Sequence, residues 1–196
     1  MVWFAISILY LQAQLPNIIY ILADDLGIGD ITSYNQNSKI KTPNIDKLSS
    51  TGVLFTNVQT SSSVCTPTRY GIITGRYSWR TPLKEGVLRG YDRELIEPKR
   101  KTVASFLKSY SYHTACIGKW HLGWSWNNIE NGNQNVDFSK PVSNGPNSCG
   151  FDYSYNIKPN PMDRCQTIFS TNPTQLFFTN KSFCDIDSLN NEQQEV

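Results

Sequence analysis

The sequence predicts an α/β fold in which a mixed or parallel sheet is flanked by helices. The run Asn17–Ala23 is continuously apolar and partly β-branched, as expected of a strand buried on both faces of a parallel sheet. Two threonine–proline pairs, Thr42-Pro43 and Thr66-Pro67, have the composition of a helix start. Because strand and helix signals alternate along the chain, separate all-α and all-β architectures are excluded.

Length and composition describe one globular domain. The chain has 196 residues, and 39% hydrophobic with 17% charged residues exclude a disordered chain. The net charge of +2 is too small to indicate a nucleic-acid partner. The compact basic run Lys99–Lys101 precedes a predicted helix, and we interpret it as a solvated face.

Residues 1–14 are interpreted as a signal peptide, followed by one domain over residues 15–196 that becomes loop-rich after about residue 125. The apolar run Val2–Leu11 is too short to span a bilayer, and Ala13 offers a cleavage residue. A buried first strand is the alternative, because no basic residue precedes the run. The glycosylation sequon at Asn180 agrees with export. We therefore expect a secreted or lysosomal glycoprotein without a stable membrane anchor.

The first predicted strand ends in two adjacent carboxylates, Asp24 and Asp25. In open α/β sheets the ligand site lies at the carboxyl ends of the strands, and paired carboxylates there suit a hard divalent ion such as calcium or magnesium. A simple turn is the alternative, since Gly27 and Gly29 follow closely. Next, Thr42-Pro43 predicts a helix that ends at Gly52, and Val53–Val58 predicts another strand.

A second helix is predicted to begin directly after Cys65, with Thr66 as its N-cap and Pro67 in its first position. Free backbone N–H groups at a helix start favour an anion, and Arg69 follows about one turn later. The spacing therefore predicts an anion pocket that contains a thiol. A cysteine phosphatase would need a longer loop between the cysteine and the arginine. A helix-capping loop with a buried or disulfide-bonded cysteine is the alternative.

Thr102 is predicted to cap a third helix, whose apolar stripe we interpret as core packing; it comprises Val103, Phe106, Leu107 and Tyr110. Tyr112–Gly118 predicts a strand. If the extended conformation continues, the period of two directs Lys119 and His121 to the same side of its end. Taken in isolation, Lys119 and His121 are better interpreted as a surface lysine and an ordinary turn histidine.

Three motifs together resemble the sulfatase family: Ala23–Gly27, Cys65–Arg69 with its companion Ile73–Arg76, and Gly118–Gly123. The resemblance implies that a formylglycine-generating enzyme oxidises Cys65 to formylglycine, whose hydrate is the nucleophile. It further implies that Asp24, Asp25 and the modified Cys65 bind calcium or magnesium. Arg69, Lys119 and His121 would then stabilise the charge on a sulfate ester.

The resemblance covers about Asn17 to Tyr153, the amino-terminal part of the family's catalytic domain. It implies an alkaline-phosphatase-like fold that is incomplete here, because nothing after Tyr153 matches the family's later metal and sulfate ligands. The implied function is a sulfuric ester hydrolase. A related phosphodiester or phosphonate hydrolase and a non-catalytic truncated chain stay open as alternatives.

The four cysteines other than Cys65 are expected to include one disulfide. Cys165 and Cys184 flank a polar loop and are the predicted pair. Cys116 lies in a predicted strand and is expected to be a thiol, while Cys149 is expected to be unpaired or joined to a region missing from this sequence.

Overall fold

The structure of the chain is a computed structural model that describes residues 15–127, 137 and 140–157, and the backbone of residues 168–172 and 175–178. The signal peptide, the pair Cys165–Cys184 and the sequon at Asn180 lie outside the described residues. The chain divides into two compact units, Met1–Thr56 and Asn57–Val196.

The first unit contains helix α1, Pro43–Thr51, which confirms the predicted helix. Its start is fixed by hydroxyl groups around the Asp46 carboxylate. Ser33 Oγ and Thr32 Oγ1 each donate to this carboxylate at 2.5 Å, and Thr42 Oγ1 donates at 3.2 Å. These hydrogen bonds, from Ser33 first and then from Thr32, hold the pKa of Asp46 below its ordinary value. The cluster thereby ties α1 to the chain that precedes it.

Both strands predicted for the first part of the chain are wrong. Asn17–Ala23 and Val53–Val58 have no strand structure, and their apolar side chains are exposed, with Ile19 and Ile21 at 84% and Val53 at 76%. A strand needs a neighbour for its backbone N–H and C=O groups, and neither run is paired with another described segment. The apolar pattern indicates a preference for burial, but it does not show which segment would pair with the run as a neighbouring strand.

Helix α2, Cys65–Thr74, begins the second unit where the sequence predicts a helix. Its N-cap is Val64 rather than Thr66, which corrects the predicted cap. Thr66 lies inside the first turn, fully buried, and its hydroxyl bonds to distant backbone groups instead of to its own helix. Gly75 ends the helix in the left-handed conformation, with φ at +65°.

Helix α3, Val103–Lys108, begins at the predicted cap, because Thr102 Oγ1 accepts from the Ser105 backbone N–H at 3.0 Å. The predicted apolar stripe is not core, however. Ala104 is the buried residue of α3, whereas three stripe members are more than 40% exposed: Val103, Phe106 and Tyr110. Helical periodicity identified the apolar face correctly but could not tell whether another element covers it.

A mixed four-stranded sheet follows, in the order β1-β2-β3-β4. Strand β1, Ala115–Lys119, overlaps the predicted strand and pairs in parallel with β2, Tyr153–Ile157. The remaining strands, β3 at Ile168–Asn172 and β4 at Gln175–Phe178, add antiparallel neighbours. The sequence predicted a mixed or parallel sheet, and the sheet is mixed.

The core of the second unit lies around the chain that follows β1. Leu95 N donates to Leu122 O at 2.9 Å and Trp124 N donates to Asp92 O at 3.4 Å, so two segments run side by side at Gly123. Gly123 has φ at +78°, a conformation in which a side chain is strained. The buried apolar residues packed here are Tyr70, Leu88, Leu95, Ile96, Trp120, Leu122, Trp124 and Val142.

Asp152 joins the end of α3 to the start of β1. Its carboxylate accepts a hydrogen bond from Lys108 Nζ at 2.5 Å. It also accepts from the Thr114 backbone N–H at 3.0 Å and from the Thr114 hydroxyl at 3.1 Å. The hydrogen bond from Lys108, followed by those from Thr114, lowers the pKa of Asp152 to about 2. The folded protein therefore favours the ionised carboxylate.

We expect the Asp152→Asn substitution to lower the melting temperature at neutral pH but not near pH 2. The pKa is depressed on folding from an ordinary value of 3.8 to about 2, so the stabilisation is complete above about pH 4 and is lost as the pH falls to about 2. Thermal melts over this range, with the exposed Glu85→Gln as the control, measure the effect. An equal difference between Asp152→Asn and wild type at pH 2 and pH 7 would contradict the interpretation.

Candidate active site

Cys65 occupies the first position of α2 and is half-buried. Its preceding residue, Val64, is extended, so the chain enters the helix sharply at the cysteine. Lys119 Nζ lies 3.4 Å from Cys65 Sγ. A helix start and an ammonium group therefore converge on one sulfur atom, which favours a negatively charged or strongly polar group at this position.

Arg69 contacts the residue whose ammonium group lies beside Cys65. Its Nη1 donates to the backbone carbonyl of Lys119, so the guanidinium braces the end of β1. The positive charge of Arg69 also partly offsets the effect of burial on the pKa of the Cys116 thiol. Lys119 thus contacts Cys65 through its side chain and Arg69 through its backbone carbonyl.

His121 lies next to the start of α2, but not in the predicted backbone conformation. Strand β1 ends at Lys119, and His121 has φ at +55°, so the expected continuous extended conformation is wrong. The side chain is buried, with 3% exposure, and its Nε2 lies 2.8 Å from Leu88 O. Thr66 Oγ1 donates to His121 O at 3.0 Å and accepts from Leu88 N at 3.2 Å. These bonds hold His121 beside the start of α2.

The opposite end of α2 is held by Glu97. Its carboxylate accepts from Arg76 Nη1 at 2.7 Å, Tyr70 Oη at 3.1 Å and Arg100 Nε at 3.2 Å. Burial opposes ionisation of Glu97, but backbone, Arg100 and Tyr70 hydrogen bonds outweigh it and leave its pKa below the ordinary value. Both ends of the helix that carries Cys65 are therefore fixed.

Asn156 was not identified from the sequence. It is 1% exposed, and its Nδ2 donates to Gly118 O at 3.0 Å and to Cys116 Sγ at 3.3 Å. Asn156 lies opposite Gly118 in the parallel register and so fixes the last peptide before Lys119. Its only sequence signal is an amide within a strand, which is too general to predict this role.

Three described cysteines are thiols: Cys65, Cys116 and Cys149. Within the described residues, this agrees with the expectation that Cys116 is a thiol. Burial raises the pKa of Cys116, and raises that of Cys149 to about 12. Neither of these two thiols is therefore suited to act as a nucleophile near neutral pH.

Asp24 and Asp25 lie in a turn of the first unit, and Asp25 has φ at +59°. Their carboxylate oxygens fit a hard divalent ion in kind, although calcium takes about six to eight oxygen ligands. Among the residues that the structure describes, no group of three or more His, Cys, Asp or Glu side chains could hold a metal ion. Two carboxylates alone would provide only part of such a coordination sphere.

The fold and this site define an α/β protein with a lysine ammonium group beside a helix-terminal cysteine. The family model for sulfatases matches residues 16–188, and the chain belongs to the sulfatase family. Members of this family generally use a formylglycine and a divalent metal. In the described part of the chain, no helix is long and apolar enough to cross a membrane.

The relatives support this assignment at the level of sequence. The chain is 41% identical over 161 residues to an N-acetylgalactosamine-6-O-sulfatase of Bacteroides thetaiotaomicron, covering 82% of this chain and 30% of that protein. It is 37% identical over 175 residues to human steryl-sulfatase, covering 85% of this chain and 28% of that protein. The chain therefore spans about 30% of the length of such relatives.

Solved structures support the fold. A Bacteroides thetaiotaomicron 6S-sulf structure, from a study of the metabolism of multiple glycosaminoglycans, matches with a TM-score of 0.72 and 37% identity, covering 84% of this chain and 32% of that one. The structure of Ps i-CgsB matches with a TM-score of 0.60 and 28% identity, covering 91% and 40%. The predicted alkaline-phosphatase-like fold class is confirmed.

Proposed function

We propose that this chain carries the nucleophile and part of the sulfate-binding groups of a sulfuric ester hydrolase. The observation that supports it most directly is the 3.4 Å contact between Lys119 Nζ and Cys65 Sγ at the start of α2. Conversion of Cys65 to formylglycine replaces this sulfur by oxygen on the same Cβ. The ammonium group would then lie beside the oxygen that attacks the ester.

Each basic side chain has a role in this proposal. Lys119 neutralises charge on the nucleophile and on a sulfate oxygen, which stabilises the transition state more than the ground state. Arg69 fixes the carbonyl of Lys119 and adds positive charge to the pocket. His121 exchanges a proton with the reacting groups, because imidazole titrates near neutral pH.

Asp24 and Asp25 are the proposed metal ligands, with residue 65 after its modification as a third. Calcium is the ion we favour and magnesium the alternative, because both prefer carboxylate oxygens. When bound, such an ion supplies a positive charge that polarises the sulfate group.

The relatives do not select one sulfate ester, since their names refer to an N-acetylgalactosamine 6-O-sulfate and to steryl sulfate. We therefore propose only the class of substrate. We also propose that a formylglycine-generating enzyme acts on Cys65 and that the protein is exported, to the lysosome or outside the cell. The signal-like amino terminus and the sequon at Asn180 support export.

Mass spectrometry of the peptide that contains Cys65 tests the nucleophile. After co-expression with a formylglycine-generating enzyme, we expect the cysteine to lose its sulfur and gain an aldehyde oxygen. The Cys149-containing peptide of the same sample is the control, because Cys149 lies outside the motif and should keep its thiol. An unmodified Cys65 throughout would remove the basis of the proposal.

On the completed chain, with residue 65 modified, a nitrophenyl sulfate should be cleaved faster than a nitrophenyl phosphodiester. The Cys65→Ala variant, which has no nucleophile, sets the background for both substrates. Faster cleavage of the diester would replace the sulfatase assignment by a phosphodiesterase.

A further inference from the structure

A closed ring of hydrogen bonds joins three segments of the second unit. Thr66 Oγ1 donates to His121 O at 3.0 Å, Leu88 N donates to Thr66 Oγ1 at 3.2 Å, and His121 Nε2 lies 2.8 Å from Leu88 O. All three residues are buried, with exposures of 0%, 8% and 3%. Bonds of this kind are strong determinants of geometry, because a buried polar group without a partner is costly.

The chemistry of these partners determines where the imidazole proton lies. A backbone carbonyl can only accept a hydrogen bond, so His121 Nε2 must be the donor to Leu88 O. A neutral imidazole has one N–H group, and Nδ1 is then the nitrogen that can accept a proton. The tautomer is thus set by the position of one carbonyl group.

Thr66 contacts the backbone of both His121 and Leu88. The Thr66 hydroxyl donates a hydrogen bond to the carbonyl of His121 and accepts one from the N–H of Leu88. His121 has φ at +55°, a conformation that is uncommon outside glycine and needs support from its surroundings. The Thr66 hydroxyl supplies such support at the strained residue itself.

We propose that Thr66 is a positioning residue for His121. Through its hydroxyl and the peptide groups of Leu88, it holds the imidazole as the Nε2–H tautomer, with Nδ1 as the proton acceptor. The part that this tautomer plays in turnover rests on the proposed function: a proton leaves an O–H group of a reactant and binds to Nδ1, while Nε2–H stays on Leu88 O. The tautomer itself is a property of the folded chain and does not depend on turnover.

Nuclear magnetic resonance of the imidazole nitrogens tests the proposal on the full chain. The sequence has two histidines, so a ¹⁵N-labelled sample gives two sets of ring signals, and the exposed His113 is assigned by the His113→Gln substitution. In wild type we expect the His121 Nε2 shift to be of the N–H type and the Nδ1 shift to be of the unprotonated type. The opposite pattern would overturn the proposal.

Three variants separate positioning from general stability. Thr66→Val, which keeps the shape but removes the hydroxyl, should give averaged nitrogen shifts from two tautomers, whereas Thr66→Ser should keep the wild-type pattern. Thr68→Val is the matched control, because Thr68 is also buried in α2 but donates to Ser62 O instead. A wild-type pattern in folded Thr66→Val would refute the role of the hydroxyl.

The result stays decisive if Thr66→Val does not fold. In that case the proposal is tested by the tautomer of wild type and by the nitrogen shifts of Thr66→Ser. Loss of the Nε2–H form in Thr66→Ser would contradict the proposal, because serine keeps the hydroxyl. The absence of formylglycine or of turnover would affect the proposed function and would leave these spectra unchanged. The two failures are therefore distinguishable.

Discussion

Replacing Gly123 by alanine should prevent stable folding of the second unit. A Cβ at this position would overlap the carbonyl carbon and oxygen of Arg93 and would lie 2.8 Å from Glu94 Cα. These are backbone atoms, so they cannot move away as the end of a flexible side chain can. Together with φ at +78°, the overlap should reduce the free energy of unfolding by about 4 kcal/mol or more.

Gly75→Ala is the control for Gly123→Ala. Gly75 has φ at +65°, but a Cβ there would meet no atom within 4 Å. It should therefore show only the backbone strain, about 1–2 kcal/mol. Urea unfolding of the two variants and wild type measures both effects, and similar losses in the two variants would show that the Arg93 backbone adapts to the new methyl group.

Removing the ammonium group of Lys119 should have the largest effect on turnover apart from the loss of Cys65 itself. Lys119→Met keeps the unbranched shape and most of the length of the side chain but removes the charge that lies 3.4 Å from the Cys65 sulfur. By analogy with the loss of one donor to a developing negative charge, we expect kcat for a nitrophenyl sulfate to fall about 10²–10³-fold. The assay uses protein in which mass spectrometry has verified the aldehyde at residue 65.

Lys101→Met provides the comparison, since Lys101 is exposed and lies outside the site. It should leave kcat unchanged, and both variants should melt close to wild type. If Lys119→Met instead raised KM with kcat unchanged, Lys119 would bind the substrate without favouring the transition state.

The sequence predicted the helices better than the strands, because helix signals are local. Thr42-Pro43 and Thr102 mark helix starts with residues that act within one turn, and α1 and α3 begin there. A strand is stabilised by residues far away in the sequence. Asn17–Ala23 has the composition of a buried strand, yet its conformation depends on which segments lie alongside it, and its apolar pattern does not contain that information.

The same distinction applies to the site. The motifs placed Cys65 and Lys119 correctly together, since each motif records a recurring local arrangement. They did not reveal Thr66 as more than a cap, because its two partners lie 22 and 55 residues away. Leu88 could not have been predicted at all: it acts through its backbone N–H and C=O, which every non-proline residue has.

The position of the site contacts along the chain also determines when the site can exist. Lys119 follows Cys65 by 54 residues, and His121 comes two residues later. Neither residue has been synthesised while the chain between Cys65 and Lys119 is being made. At synthesis rates of about 5–20 residues per second, this interval lasts roughly 3 to 11 s. During these seconds the thiol is on a nascent chain without its lysine neighbour, and the modifying enzyme proposed above would meet it in that state.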